Sequence, residues 1–181
     1  MNVITRRRKP SGRYMTDGAK SGHPLLLSKE RAMNMDIQLA EKKHEQAIFE
    51  CVSMAYSMYI GRMGKKPAPM LSDYSKLIEK NIVYIATDSE EFMGIIVFFS
   101  KGNSLFIENV AVHPDFQGRG IGRKLIEFAL NFAKKAGLQE VNLYTNELMT
   151  ENIRYYLGLG FVEVGRRLED DYRRVYFVIP L

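Results

Sequence analysis

The residues best suited to chemistry lie in one stretch, Val110-Ala111-Val112-His113-Pro114-Asp115-Phe116-Gln117-Gly118-Arg119-Gly120-Ile121-Gly122. An apolar strand runs in and a long amphipathic helix runs out. Gly118, Gly120 and Gly122 fall where the helix must begin. Glycine turns the chain sharply and, lacking a Cβ, lets another molecule approach the main chain. The first amides of a helix have no intrahelical partner and sit at the positive end of its dipole. Such a loop can hold a phosphate or pyrophosphate. The same glycines would also serve a tight strand-to-helix connection that binds nothing. No Gly-Lys-Ser/Thr follows, so the loop is not a Walker A phosphate loop. It is also a poor dinucleotide fingerprint. The strand before it lies late in the chain, and the second strand, near Asn142 to Asn146, ends on no acidic residue about 20 positions on.

The elements that must hold this loop are legible from periodicity. Residues 36–40 alternate and predict a first strand. Residues 41–63 place Ile48, Cys51, Val52, Ala55, Met58, Tyr59 and Met63 at helical spacing. Cys51 lies on that stripe and reads as a small core residue rather than a nucleophile. Gly64 to Met70 breaks the helix, and Ser72 is placed to cap a short one over residues 73–80. Tyr56, Tyr59, Arg62, Lys65, Met70 and Tyr74 gather around the break, either as core aromatics beside solvated cations or as the wall of a pocket. Residues 82–87 and 92–100 are β-branched and aromatic runs joined over Asp88-Ser89-Glu90-Glu91, a hairpin; Gly102-Asn103 turns into a strand over 104–112. Residues 121–137 form the clearest helix, with Leu125, Phe128, Ala129, Phe132, Ala133 and Ala136 on one face, Ile126 and Leu130 widening it, and Gly137 as its stop. A strand at 141–145, a short helix at 150–159 and a hairpin of 161–167 with 172–179 complete the chain. The strand–helix–strand crossover predicts that the fourth and fifth strands are parallel neighbours. Successive antiparallel strands before it predict an α+β fold.

Composition bounds the partners. At 181 residues, 46% hydrophobic and 26% charged, one globular domain is expected. No apolar run approaches the roughly 18 residues needed to span a bilayer, so no membrane partner is expected. One cysteine precludes an internal disulfide, and three scattered histidines give no metal cluster; a cytoplasmic setting is expected. The net charge of +5 is uneven: residues 1–34 carry eight Lys and Arg against two acids, leaving the rest at net −1. With no basic face outside that stretch, no nucleic acid is expected as partner. Residues 1–34 read as a disordered basic leader. Three accounts of it are open: a vector-derived or misread start with Met33 or Met35 as the true one, which is preferred, a basic binding tail, or a transit peptide.

Two segments carry a family resemblance. Gln117-x-x-Gly120-x-Gly122 after Val-Ala-Val resembles the acetyl-CoA signature of the GCN5-related N-acetyltransferases (GNAT). After the fifth strand, Asn152, Tyr156, Gly160 and Phe161 fall on that family's Asn-x-x-x-Tyr-x-x-x-Gly-Phe segment. Both occur in the family's order, one helix and one strand apart, and the likeness covers residues 35–181. Leu157-Gly158 departs from the polar residues usual there.

The resemblance implies a mostly antiparallel seven-stranded sheet, its parallel fourth and fifth strands splayed, flanked by four helices. It implies acetyl-CoA as cosubstrate and no metal. The pantetheine arm would pair with the backbone of Val110, Ala111 and Val112. The pyrophosphate would rest on Gln117, Gly118, Arg119, Gly120, Ile121 and Gly122, with Asn152 holding the pantetheine amides. A primary amine, on a small molecule or a peptide, would attack the thioester directly in a ternary complex. Glu108 is the candidate base, the Val110 amide the oxyanion donor, and Tyr156 the acid for the departing thiolate. The break after the first helix would cover the acceptor, and Glu169, Asp170 and Asp171 either attract a cationic amine or form a solvated turn. Two other readings stay open: a non-catalytic acyl-CoA-binding or regulatory module on the same fold, and a basic-tail adaptor. Homodimerisation through the last hairpin is left open.

Overall fold

A computed structural model describes residues 34–181; the leader expected over 1–34 lies outside the described residues but for Asn34. Seven strands form one sheet: β1 (Met35–Leu39), β2 (Val83–Asp88), β3 (Glu91–Lys101), β4 (Ser104–Val112), β5 (Glu140–Asn146), β6 (Val162–Glu169) and β7 (Tyr172–Pro180). Their order is β1-β2-β3-β4-β5-β7-β6. All neighbours are antiparallel except β4 and β5. Four helices flank the sheet: α1 (Glu45–Met63), α2 (Tyr74–Glu79), α3 (Ile121–Lys135) and α4 (Thr150–Gly158). The fold is thus the α+β architecture expected.

Each sheet face has its own core. Ile48, Cys51, Val52, Ala55, Tyr56 and Tyr59 of α1, with Tyr74 and Ile78 of α2, pack on Val83, Ile85, Ile95, Val97 and Ala111. On the other face Ile121, Leu125, Ile126, Ala129 and Ala133 of α3 and Tyr156 of α4 pack on Ile96, Phe98, Leu105, Ile107, Val110 and Val112. Burying each of the three branched side chains of α3 is worth roughly 1.5–3 kcal/mol. Phe132 remains partly exposed but meets Phe98 at 5.1 Å between ring centroids. Ala136 was expected on the buried face; the helix closes at Lys135 and Ala136 is exposed, with Gly137 behind it at φ 70°. The cap of α2 also differs: Asp73, not Ser72, accepts from the Lys76 amide.

Two irregularities shape the centre of the sheet. Gly94 pairs with Val112, and a Cβ there would stand 2.6 Å from the Ala111 carbonyl oxygen. Only glycine admits that approach. The β3–β4 register then shifts: Val97 faces Asn109 while Phe98 faces Ile107, leaving Glu108 as a bulged residue. A bulge bends its strand and re-aims the side chains around it.

Candidate active site

The parallel ladder between β4 and β5 is short. It runs from Ser104↔Glu140 to Ile107↔Leu143 and stops. Past that point β4 continues to Val112 paired only with β3, while β5 continues to Asn146 paired with β7. The two strands part at Glu108. A main chain that leaves its ladder inside a protein still needs hydrogen-bond partners, so the fork is a place for an extended polar guest.

Tyr156 approaches the fork from the α4 side. It is fully buried, wedged between Phe161 and Phe177 at 5.9 and 5.8 Å. Its hydroxyl has no protein partner; among the described residues only Tyr155 and Tyr156 carry such an orphaned buried side-chain polar atom. Burial pushes the Tyr156 hydroxyl far above its ordinary pKa, and nearby Tyr155 and Tyr59 add to the shift. Tyr156 in turn raises Tyr56. Tyr56 and Tyr59 come from α1 on the opposite face of the sheet. Tyr155 packs edge-on to Tyr156 at 5.6 Å and lies near Arg123 and Glu127 of α3.

The loop into α3 is built as its glycines suggest. Gly118 and Gly120 adopt φ of 79° and 81°, and a Cβ on either would meet nothing within 4 Å, so both border open space. The first intrahelical bond runs from the Lys124 amide to the Gly120 carbonyl, 3.1 Å. The amides before Lys124 are those a helix start leaves without an intrahelical partner. Gln117 Nε2 donates to the Val112 carbonyl at 3.0 Å, tying the loop to the end of β4. Ile121 and Gly122 are buried. Arg119 lays its guanidinium over the Phe116 ring at 5.1 Å. Asn152 is fully buried, its amide donating to Thr145 Oγ1 at 3.5 Å and Met149 Sδ at 3.6 Å. These bonds secure the start of α4 to β5.

On the α1 side the bulge points Glu108 and Asn109 into the same small cavity, about 30 Å3, with Pro69, Ser72, Tyr74 and Tyr144. A second cavity of about 30 Å3 lies against Glu108 and Tyr144 on the β7 side, bordered by Met63, Tyr172 and Arg174. Burial raises the Glu108 carboxyl above its usual pKa, and Lys80 partly opposes this. Asn109, nearly fully buried, is gripped from both sides: Tyr56 donates to its Oδ1 at 2.7 Å, and its Nδ2 donates to the Tyr74 hydroxyl at 2.9 Å. Tyr74 passes the chain on to the Pro69 carbonyl at 2.9 Å. This relay had no signature in the sequence, because its members stand 53 and 35 positions apart.

The cluster expected around the helix break divides. Tyr56 and Tyr59 are core, Tyr74 is core with its hydroxyl turned to Asn109, and Arg62 pairs with both carboxylate oxygens of Glu151 at 2.8 and 3.1 Å. Met70 packs at the edge of the α1-side core. Cys51 is fully buried and its thiol is pushed up to about 12, so it is inert. Of the acidic turn, Glu169 and Asp170 are taken by Arg174 at 2.7 and 3.1 Å. Among the described residues no helix is long and apolar enough to cross a membrane.

Comparison with known proteins agrees with this geometry. Residues 79–163, from the end of α2 to β6, match the acetyltransferase (GNAT) domain model. The peptidyl-lysine N-acetyltransferase YjaB of Salmonella typhimurium is 32% identical over 113 residues, 62% of this chain and 70% of that protein. The uncharacterized N-acetyltransferase MJ1207 of Methanocaldococcus jannaschii is 44% identical over 57 residues, but this chain spans only 25% of its length. The solved PaiA N-acetyltransferase of Thermoplasma acidophilum in complex with coenzyme A superposes with a TM-score of 0.66 at 15% identity, over 80% of this chain and 98% of that one. That likeness speaks to the fold, and the sequence relatives to descent: the forked sheet with its glycine-lined helix start belongs to the GCN5-related N-acetyltransferase family.

Proposed function

We propose that the protein transfers an acetyl group from acetyl-CoA to a primary amine, by direct attack within a ternary complex. The observation that carries the reading is the end of the β4–β5 ladder at Ile107↔Leu143, which leaves the last five residues of β4 without a neighbouring strand on that side. Val110, Ala111 and Val112 would hold the pantetheine arm there as a further strand would. Gln117, Gly118, Arg119, Gly120, Ile121 and Gly122 would hold the pyrophosphate on open helix-start amides, with Asn152 fixing the approach of α4. The orphaned Tyr156 hydroxyl supports the fit, since a buried polar group without a partner is costly unless a ligand supplies one. When bound, the thioester supplies the acetyl group and a thiol leaving group.

This chain's residues have three tasks. An ammonium has no lone pair, so Glu108 takes its proton, directly or through water. Burial raises the Glu108 carboxyl above its usual pKa, which makes it a better proton acceptor. The Val110 amide donates to the oxygen on which negative charge develops. Tyr156, held protonated by its burial, gives a hydrogen bond or a proton to the departing sulfur. The buried Cys51 thiol has no part, which suits attack without a covalent enzyme intermediate.

Saturating acetyl-CoA at about 100 times its Kd adds roughly 2.7 kcal/mol of stability by linkage. In a chain of this size that raises Tm by roughly 5–10 °C. An amine panel read out by free thiol then reports transfer. Absence of any thermal shift with acetyl-CoA defeats the proposal; a shift without thiol release from any amine removes the catalytic half of it.

A further inference from the structure

The cavities beside Glu108 continue outward. The inner pair share Ala68, Pro69, Glu108 and Tyr144. A groove of about 230 Å3 shares Met63 and Asn146 with the nearer of them. One lysine stands where groove and cavity meet. Lys65 Nζ lies 3.8 Å from the centroid of the Tyr172 ring and donates to the Asp171 carbonyl at 2.8 Å. Tyr172 borders the inner cavity, while Lys65 and Asp171 border the groove. The Tyr172 hydroxyl donates to the Lys66 carbonyl at 2.8 Å, so the α1–α2 connection is fastened to the β6–β7 turn. Each inner cavity is about the volume of one water molecule. With the fastening closed, little more than an ammonium head has room beside Glu108.

We propose that the Tyr172 ring face and the Asp171 carbonyl form a seat for the acceptor's ammonium, that Lys65 is its internal occupant, and that the acceptor is an unbranched primary alkylamine which displaces Lys65 on its way to Glu108. The proposal deepens the acetyl-transfer reading and rests on it for what happens after docking. An aromatic face attracts a cation through its quadrupole. An ammonium carries three donors and no acceptor, so a carbonyl is its natural second contact. Lys65 is itself a butylammonium, and its two contacts establish that this head fits the seat. Met63, Leu148 and Leu168 line the groove outside and suit the methylenes of an incoming chain. A head on a tertiary carbon would bring methyl groups against the ring and the carbonyl, where Lys65 brings a single methylene.

The test is an NMR titration with n-butylammonium chloride in the absence of acetyl-CoA. It compares wild type, Lys65→Met, Tyr172→Leu and Tyr172→Phe, each checked for folding by Tm. Removing the internal occupant in Lys65→Met tightens binding, and losing the ring in Tyr172→Leu weakens it, each by roughly two- to thirty-fold. Tyr172→Phe keeps the ring, drops the bond to Lys66, and binds at least as well as wild type. tert-Butylammonium binds more weakly than the linear amine throughout. The proposal is overturned by equal affinity in Lys65→Met and wild type, by undiminished binding in Tyr172→Leu, by weaker binding in Tyr172→Phe, or by equal binding of the branched amine. Because no acetyl donor is present, these results stand whether or not acetyl transfer is found. Failure of the amine panel with the titration intact would isolate the fault in the catalytic reading.

Discussion

Tyr156→Phe separates chemistry from packing, because the two predict opposite signs. The ring fills a slot between Phe161 and Phe177, and phenylalanine keeps it filled. The hydroxyl is buried with no protein partner. Leaving such a group unsatisfied costs roughly 1–3 kcal/mol, so removing it stabilises the ligand-free protein by up to that amount. The expected rise in Tm is about 2–12 °C. Activity moves the other way: loss of a proton donor lowers kcat by roughly 10²- to 10⁴-fold, with KM for the amine little changed. Tyr155→Phe is the internal control. Its hydroxyl is orphaned too, and although its ring packs edge-on to Tyr156 at 5.6 Å, it lies near Arg123 and Glu127 of α3. It should gain stability on the same scale and keep its kcat. Differential scanning fluorimetry and steady-state thiol release measure both. A Tyr156→Phe protein that is less stable than wild type shows that the hydroxyl has a partner in the free protein; one with unchanged kcat takes Tyr156 out of the reaction.

Glu108→Gln should abolish the acidic limb of the pH profile of kcat/KM, a limb that in wild type lies above the ordinary carboxylate range because burial raises this group. The sign for stability follows: a raised carboxyl favours the folded state while protonated and loses that contribution as pH rises through its folded value, so Glu108→Gln gains on wild type above that pH in urea titrations. Asn109→Ala strips Tyr56 of its acceptor and Tyr74 of a donor in the core and should cost about 2–4 kcal/mol in the same titrations; a loss under 1 kcal/mol would mean the relay is not formed in solution. Gly94→Ala drives a Cβ to 2.6 Å from the Ala111 carbonyl oxygen, where only backbone can yield, and should cost about 1–3 kcal/mol. Gly120→Ala forces φ 81° on a residue with a Cβ and points that Cβ at the proposed pyrophosphate site; KM for acetyl-CoA should rise several-fold with KM for the amine unchanged, and parallel changes in both would move the site elsewhere.

The elements were legible because each advertises itself locally. The strands at 83–88 and 91–101 alternate or run apolar between turn residues, and Ser89 and Glu90 take φ of 49° and 75° to close a two-residue turn without glycine. The crossover from β4 through α3 to β5 predicts a parallel pair, which the ladder shows. The glycine loop and the Asn152–Tyr156 helix are short, contiguous motifs, so their positions could be read directly. What stayed hidden depends on residues far apart in sequence. No glycine or proline marks the bulge at Glu108; it appears only when Val97 is set against Asn109. The Tyr56–Asn109–Tyr74 relay joins α1, β4 and α2, and the Lys65–Tyr172 contact spans the α1–α2 connection and the last hairpin. Tyr74 and Lys65 stand out by type, as an aromatic and a cation near a break, but their partners leave no period in the chain.

The bulge explains why the Glu108 carboxylate and its support are adjacent. In a regular strand, Glu108 and Asn109 would point to opposite faces. The extra residue lets both line one cavity on the α1 side, while Val110 returns to the α4-side core. Asn109, held by two tyrosines, then fixes the backbone on which Glu108 stands. The same residue marks where β4 leaves β5, so one irregularity positions the carboxylate and begins the fork. Buried Asn109, Thr145 and Asn152 are each engaged by their neighbours; polar need left unmet gathers at the fork and at the two tyrosines of α4. A ligand that meets that need stabilises the fold most where β4 and β5 separate. Amide exchange should therefore slow on adding acetyl-CoA at residues 108–112 and 117–122, and leave the β1–β2 and β6–β7 ladders unchanged. Uniform protection across the sheet would mean the donor acts on global stability from some other site.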